Sequence, residues 1–258
     1  MKKVLEVRNL AKSFGGVKAV DHINFDVEEG QLLAMIGPNG AGKSTCFNLL
    51  NGQLRPDSGS VKILGQKSIG LKPREVWKLG VGRTFQVTET FPSMTVLENI
   101  QMVLLSYHKR FRSMLRLVGK LYVEEAMALL KLVGIQEQAK RPCAFLAYGD
   151  LKRVELAMAL ANQPKLLLMD EPTAGMGSKE RIQLMELTAD IVRTRSIGVL
   201  FTEHDMDVVF THADQIIVLN RGELVAQGSP AEIHENKKVH DIYFGSGDTI
   251  NIQQIKAV

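Results

Sequence analysis

Apolar and polar positions along the chain follow two rhythms. QLLAMI (31–36), KLLLMD (165–170) and IGVLFT (197–202) are short, nearly unbroken apolar runs, the pattern of strands buried on both faces. The first leads through a glycine-containing loop into the helical stretch STCFNLL, which Gly52 is placed to close. The second is introduced by the breaker Pro164. The third is reached through an amphipathic helix predicted over 179–194, with Ile182, Met185 and Val192 on one face. Strands joined by crossover helices require a mainly parallel sheet. A different rhythm opens the chain: VLEVRNL and HINFDVEEG alternate apolar and polar residues, and QLRPDSGSVKIL places a PDSG turn before a further strand. These predict a small antiparallel sheet on the N-terminal side. The middle, 88–155, reads as helical with no linker at its edges. It is expected to be a subdomain inserted into an α/β core made of 1–87 and 156–258, all within a single domain.

Composition adds limits. The 258 residues, 45% of them hydrophobic, suffice for a sizeable core without disulfides or structural metal. Two cysteines, Cys46 and Cys143, with no CxxC and no His/Cys cluster, make a zinc site or disulfide framework unexpected and fit a reducing compartment. No apolar run approaches the ~18 residues of a membrane span, and the two lysines near the start have no apolar h-region behind them. With 32 basic against 28 acidic residues spread along the chain, charge alone points to no nucleic-acid partner.

The chemistry begins at GPNGAGKST, which comprises Gly37, Pro38, Asn39, Gly40, Ala41, Gly42, Lys43, Ser44 and Thr45 and satisfies the phosphate-loop pattern. Glycines let successive N–H groups face a phosphate, Lys43 brings charge to β and γ groups, and Ser44 offers a hydroxyl to Mg²⁺. A glycine-rich turn with an incidental lysine would share these letters. The strand before and the helix after are the context that the chemistry requires. LLLMDE then supplies Asp170, able to hold Mg²⁺ through water, and Glu171, able to orient and deprotonate an attacking water. Gln86 in GRTFQ follows a short strand-like segment, and His204 in FTEHDM follows the third buried run. Both fall where parallel sheets collect ligands. Phe14, in SFGGVKAV, reads equally as a turn aromatic or as a stacking face for a base. In LAYGDLKR, a glycine turn running into a helix presents Ala147, Tyr148, Gly149 and Asp150 at a second candidate phosphate seat. A simple helix start with Asp150 favourably placed is the alternative.

GPNGAGKST, TFQ, LAYGD, LLLMDEP and EHD, in this order and approximate spacing over nearly the whole chain, resemble the ATP-binding cassette ATPases. TFQ, LAYG, DEPTAGM, EHDM and IYFGSGD are most similar to the ATPase subunits of branched-chain amino acid importers and their urea and amide relatives. The resemblance implies a P-loop NTPase core with a mainly parallel sheet, an antiparallel β subdomain and a helical subdomain. It implies Mg·ATP as cofactor, Phe14 and residues 37–45 as the nucleotide site, Ser44, Gln86 and Asp170 toward Mg²⁺, and Glu171 as general base, with His204, Gln86 and Lys43 aligning γ-phosphate and water. It further implies a head-to-tail dimer, of like or paralogous subunits, in which Ala147 to Asp150 meet the partner's ATP. Two membrane permeases, docked near Gln86 with 87–94 as the rim, an extracytoplasmic binding protein served indirectly, and a place at the cytoplasmic face of the membrane complete the expectation.

Departures from that pattern accompany the matches. The usual signature serine is Ala147, the following glutamine is Leu151, and Gly177 stands where Asp, Asn or Ser is common. The stretch 107–121 interleaves six basic side chains, His108 included, with Phe111, Met114, Leu115, Leu117, Val118 and Leu121. A solvated basic face accounts for it more simply than a surface for lipid headgroups. A cassette ATPase acting on nucleic acid, on ribosomes or in an export complex is the rival reading. Such chains carry paired cassettes or long coiled-coil insertions, and this one has a single copy of each motif and no long heptad run. A nucleotide-binding regulator without hydrolysis is opposed by Lys43, Asp170, Glu171 and His204 together.

Overall fold

The structure is a computed structural model and describes residues 2–84, 90–108 and 121–244. Its opening is an antiparallel sheet of β1 (Lys3–Phe14), β2 (Val17–Glu28), β4 (Ser58–Ile63) and β5 (Gln66–Lys67) in the order β2-β1-β4-β5. The alternation seen in VLEVRNL becomes the observed face pattern, with Val4, Leu5, Val7 and Leu10 buried. Arg8 of β1 grips Asp26 of β2 with both terminal guanidinium nitrogens, Nη1 to Oδ1 at 2.6 Å and Nη2 to Oδ2 at 2.9 Å.

A six-stranded sheet forms the centre, in the order β10-β9-β3-β8-β7-β6, from β3 (Leu32–Ile36), β6 (Val81–Thr84), β7 (Leu166–Asp170), β8 (Gly198–Thr202), β9 (Gln215–Asn220) and β10 (Glu223–Gly228). All neighbours pair in parallel except the edge hairpin β9–β10. The unbroken apolar runs are explained by burial on two sides. Leu32, Ala34 and Ile36 pack into one core with Leu167, Met169, Val199 and Phe201, whereas Leu33 and Met35 join Leu166, Leu168 and Leu200 in a second core beneath the antiparallel sheet.

The first core is closed by α3 (Val96–Tyr107), α4 (Val123–Leu132), α5 (Tyr148–Leu160) and α6 (Ser178–Arg195). Helix α3 starts in a capping box, Thr95 with Glu98, and α5 runs unbroken across residue 155. On α6, Leu184, Met185, Thr188, Ala189, Ile191 and Val192 are buried, but Ile182, expected on the same face, is 46% exposed. Periodicity identifies the face of a helix without saying how far the neighbouring core extends. Ile182 lies in the first turns, ahead of the buried stretch that begins at Leu184. Helices α1 (Lys43–Leu50), α2 (Pro73–Lys78), α7 (Met206–His212), α8 (Pro230–His234) and α9 (Lys237–Phe244), with short 3-10 turns at Gln136–Gln138 and Cys143–Phe145, complete the described elements. Gly52, at φ 79, closes α1 as its position in the sequence indicated.

Candidate nucleotide site

The loop 37–42 leaves the carboxyl end of β3 and delivers Lys43 as the first residue of α1. Gly42 is the residue before that helix, at φ 108, and a Cβ there would collide with the Ala19 carbonyl oxygen. A Cβ on Gly37 would strike the Leu219 carbonyl in the same way, so both positions are restricted by close backbone approach. Helix α1 has no side-chain cap and no acidic residue in its first turn, which leaves its positive end uncompensated. Gly40 to Thr45 line a cleft of about 570 Å³ together with Gly16 to Ala19 and Arg221.

Lys43 is 7% exposed, and its ammonium donates to the Gly37 carbonyl at 2.6 Å and to that of Pro38 at 3.3 Å. Burial lowers its pKa, and the carboxylates of Glu171 and Asp170 act in the opposite direction, which places all three groups in one electrostatic neighbourhood. Asp170 ends β7 and Glu171 follows at φ 48 in the left-handed region. His204 follows β8, the strand between β3 and β7, and its Nε2 lies 2.8 Å from Glu171 Oε1. Asp205 caps α7 through Asp207 N–H and Val208 N–H, and its other oxygen pairs with Arg181 of α6.

Lys43, Asp170, Glu171 and His204 therefore converge, although neither Gly37, Pro38 and Asn39 nor Asp170, Glu171 and His204 line the cleft itself. Phe14 stands at the end of β1, 49% exposed, with Lys12 Nζ 5.6 Å from its ring centre. It flanks the turn into β2, whose first residues form a wall of the cleft. Ala147 to Asp150 line no part of that cleft. Two of them meet their own chain's segment 175–180, with the Glu180 carboxylate beside Gly149 and the Tyr148 ring beside Gly175. Gln86, most of the basic stretch after residue 108, and the IYFGSGD ending beyond Phe244 lie outside the described residues, as do 87–89 of the expected permease rim.

Several residues now seen at the site escaped the sequence reading. Gly16 to Ala19 and Arg221 belong to no familiar motif. The turn carrying Arg221 was nevertheless marked by the apolar run QIIVL before NRG, a hairpin signal. Gly222 of that turn donates to the Ala41 carbonyl at 3.0 Å, bracing the phosphate loop. Thr202 and Glu203 read only as the end of an apolar run. In the fold Glu203 is buried and accepts from Thr173 N–H at 2.9 Å and from the Thr173 hydroxyl at 2.6 Å.

A cationic, uncapped helix start beside two carboxylates and a histidine at the carboxyl ends of parallel strands defines a nucleotide-binding α/β cassette. The family model described as ABC transporter matches residues 20–174, and this chain belongs to that family. It is 36% identical over 252 residues to the high-affinity branched-chain amino acid transport ATP-binding protein LivG of Escherichia coli (strain K12), covering 94% of this chain and 98% of that one. Among solved structures it is similar to the ADP conformation of MJ1267, an ATP-binding cassette of an ABC transporter, with TM-score 0.85, 29% identity and coverage of 95% and 100%. The dimeric structure of a post-hydrolysis state of the cassette MJ0796 bound to ADP and Pi matches with TM-score 0.74 at 28% identity, over 88% of this chain and 98% of that one.

Proposed function

We propose that this chain hydrolyses ATP to energise import of a small polar solute of the branched-chain amino acid type, the transport named for its LivG relative. The observation that carries the reading is the 2.8 Å contact of His204 with Glu171, at the strand ends whose carboxylates act on Lys43. Glu171 takes a proton from water, and His204 holds the accepting carboxylate in place. Lys43 exchanges its loop carbonyls for β and γ phosphate oxygens, while the first turn of α1, with Ser44 and Thr45, receives the remaining phosphate charge.

The donor set fits a cation that arrives with its nucleotide. No group of three or more His, Cys, Asp or Glu able to hold a metal exists among the described residues, and Ser44 and Gln86, with Asp170 acting through water, would hold the cation beside phosphate oxygens. Mg²⁺, when bound, supplies charge neutralisation and polarises the γ-phosphoryl group. Phe14 is assigned to the base.

The separation of Ala147 to Asp150 from the chain's own cleft favours a dimer, of like or paralogous subunits, in which each signature segment meets the other subunit's ATP. The division into a core of 1–87 and 156–258 and a helical subdomain of 88–155 belongs to the same proposal, with α5 spanning the junction. No helix among the described residues is long and apolar enough to cross a membrane. In this proposal the solute's path is supplied by two permease partners. A groove lined by Trp77, Arg74, Val103 and Met158 offers them a seat, and in this reading the chain works at the cytoplasmic face of the membrane. Phosphate release from Mg·ATP by the purified chain, together with its retention by integral membrane proteins after mild solubilisation, tests this reading. Failure of both contradicts it.

A further inference from the structure

Thr202, the last residue of β8, is fully buried and carries two hydrogen bonds that join the neighbouring strand end. Its hydroxyl donates to Asp170 Oδ1 at 2.8 Å and accepts the Glu171 N–H at 3.0 Å. Chemistry forces this direction, because a main-chain N–H only donates, and the single hydroxyl proton is then committed to the carboxylate. The Glu171 N–H is shared with the Thr202 carbonyl at 3.2 Å, so one residue supports the left-handed backbone at Glu171 twice. Asp170 Oδ2 has no hydrogen-bond partner among the described residues, which leaves one carboxylate oxygen anchored and the other available to a ligand.

We infer that Thr202 is a positioning residue for the cation-binding end of the site: one buried hydroxyl sets the orientation of Asp170 and the backbone of Glu171 together. This rests on the roles proposed above for those two carboxylates. Valine shares the β-branched shape and suits a buried strand, so Thr202→Val removes the two hydroxyl bonds with little change of side-chain shape. Serine restores the hydroxyl.

The test measures binding of a fluorescent ATP analogue with and without Mg²⁺, beside turnover and thermal melting. Thr202→Val is expected to bind the analogue normally in EDTA. The increase in affinity that Mg²⁺ adds is expected to shrink by roughly ten- to hundredfold, the range for losing a hydrogen bond to a charged group. Thr202→Ser is expected to recover most of that loss, which general destabilisation of the strand would not allow. In an Asp170→Asn background, Thr202→Val is expected to remove no further Mg²⁺ increment. If Asp170→Asn abolishes the increment and Thr202→Val leaves it intact, Thr202 has no positioning role. If Asp170→Asn itself leaves the increment intact, the cation assignment fails and the inference falls with it. Should Thr202→Val melt before binding is measured, Thr202→Ala and Thr202→Ser decide the matter: equal Mg²⁺ increments in those two overturn the inference.

Discussion

His204 Nε2 and Glu171 Oε1 lie 2.8 Å apart, joining residues that follow adjacent strands. An ionised carboxylate only accepts, so Nε2 is the donor to it, and in the proposed mechanism the imidazole orients the carboxylate that takes the proton from water. His204→Ala is expected to lower ATP turnover by at least ~100-fold, the lower end of general-base contributions, with ATP affinity nearly unchanged. Steady-state phosphate release beside equilibrium nucleotide binding checks this, and an equal loss in both would make His204 a binding residue.

Lys43 should separate from Glu171 in the opposite sense. Its ammonium is buried against the Gly37 and Pro38 carbonyls, ready to be redirected to phosphate. Lys43→Ala is expected to weaken ATP binding by roughly tenfold or more, since a charge-assisted contact is lost. Titration with a fluorescent nucleotide reads the change, and unaltered affinity would remove Lys43 from the phosphates.

Acid should loosen the antiparallel sheet through Asp26. Burial pushes its pKa up, but the bonds from Arg8 and Lys3 outweigh that effect and hold it below the ordinary value. A lowered folded pKa gives stability that is present above the unfolded value of about 3.9 and is lost as pH falls through the folded one. After allowing for solvent screening, Asp26→Asn is expected to cost about 1 kcal/mol at neutral pH. Melting curves should show the gap from the unsubstituted protein closing toward pH 3. A gap that stays constant with pH would assign the loss to packing.

Much of this was legible from the chain. Buried strands are continuous apolar runs between breakers, so β3, β7 and β8 stood out, and phosphate chemistry demands glycine, lysine and hydroxyl residues at fixed offsets. What was hidden depends on contacts between segments distant in sequence. Nothing local marks Thr202 as the partner of Asp170, 32 residues away in the chain. Ile182 has the correct spacing for the buried face of α6 and is nonetheless exposed. The packing of Gly149 beside Glu180 was equally invisible.

That last contact shapes the test of the cross-chain reading. Glu171→Gln and Gly149→Asp should each silence a homodimer, whereas a tandem fusion of the two variants gathers both defects in one site and leaves the other site intact. Some activity should return. Because the carboxylate introduced by Gly149→Asp would also face Glu180 of its own chain, a matching fusion carrying Glu180→Gln tells local repulsion from loss of the phosphate seat. Control fusions pairing each variant with an unsubstituted half must retain ATPase. With those passed, a silent mixed fusion means that LAYGD serves its own chain as a helix start.

The most direct measurement is phosphate release from Mg·ATP by the purified chain and by Glu171→Gln, each with its ATP affinity determined. Turnover by the unsubstituted protein, and a fall of at least ~100-fold in the variant with binding retained, is the predicted result. Hydrolysis by Glu171→Gln at the unsubstituted rate would contradict the account.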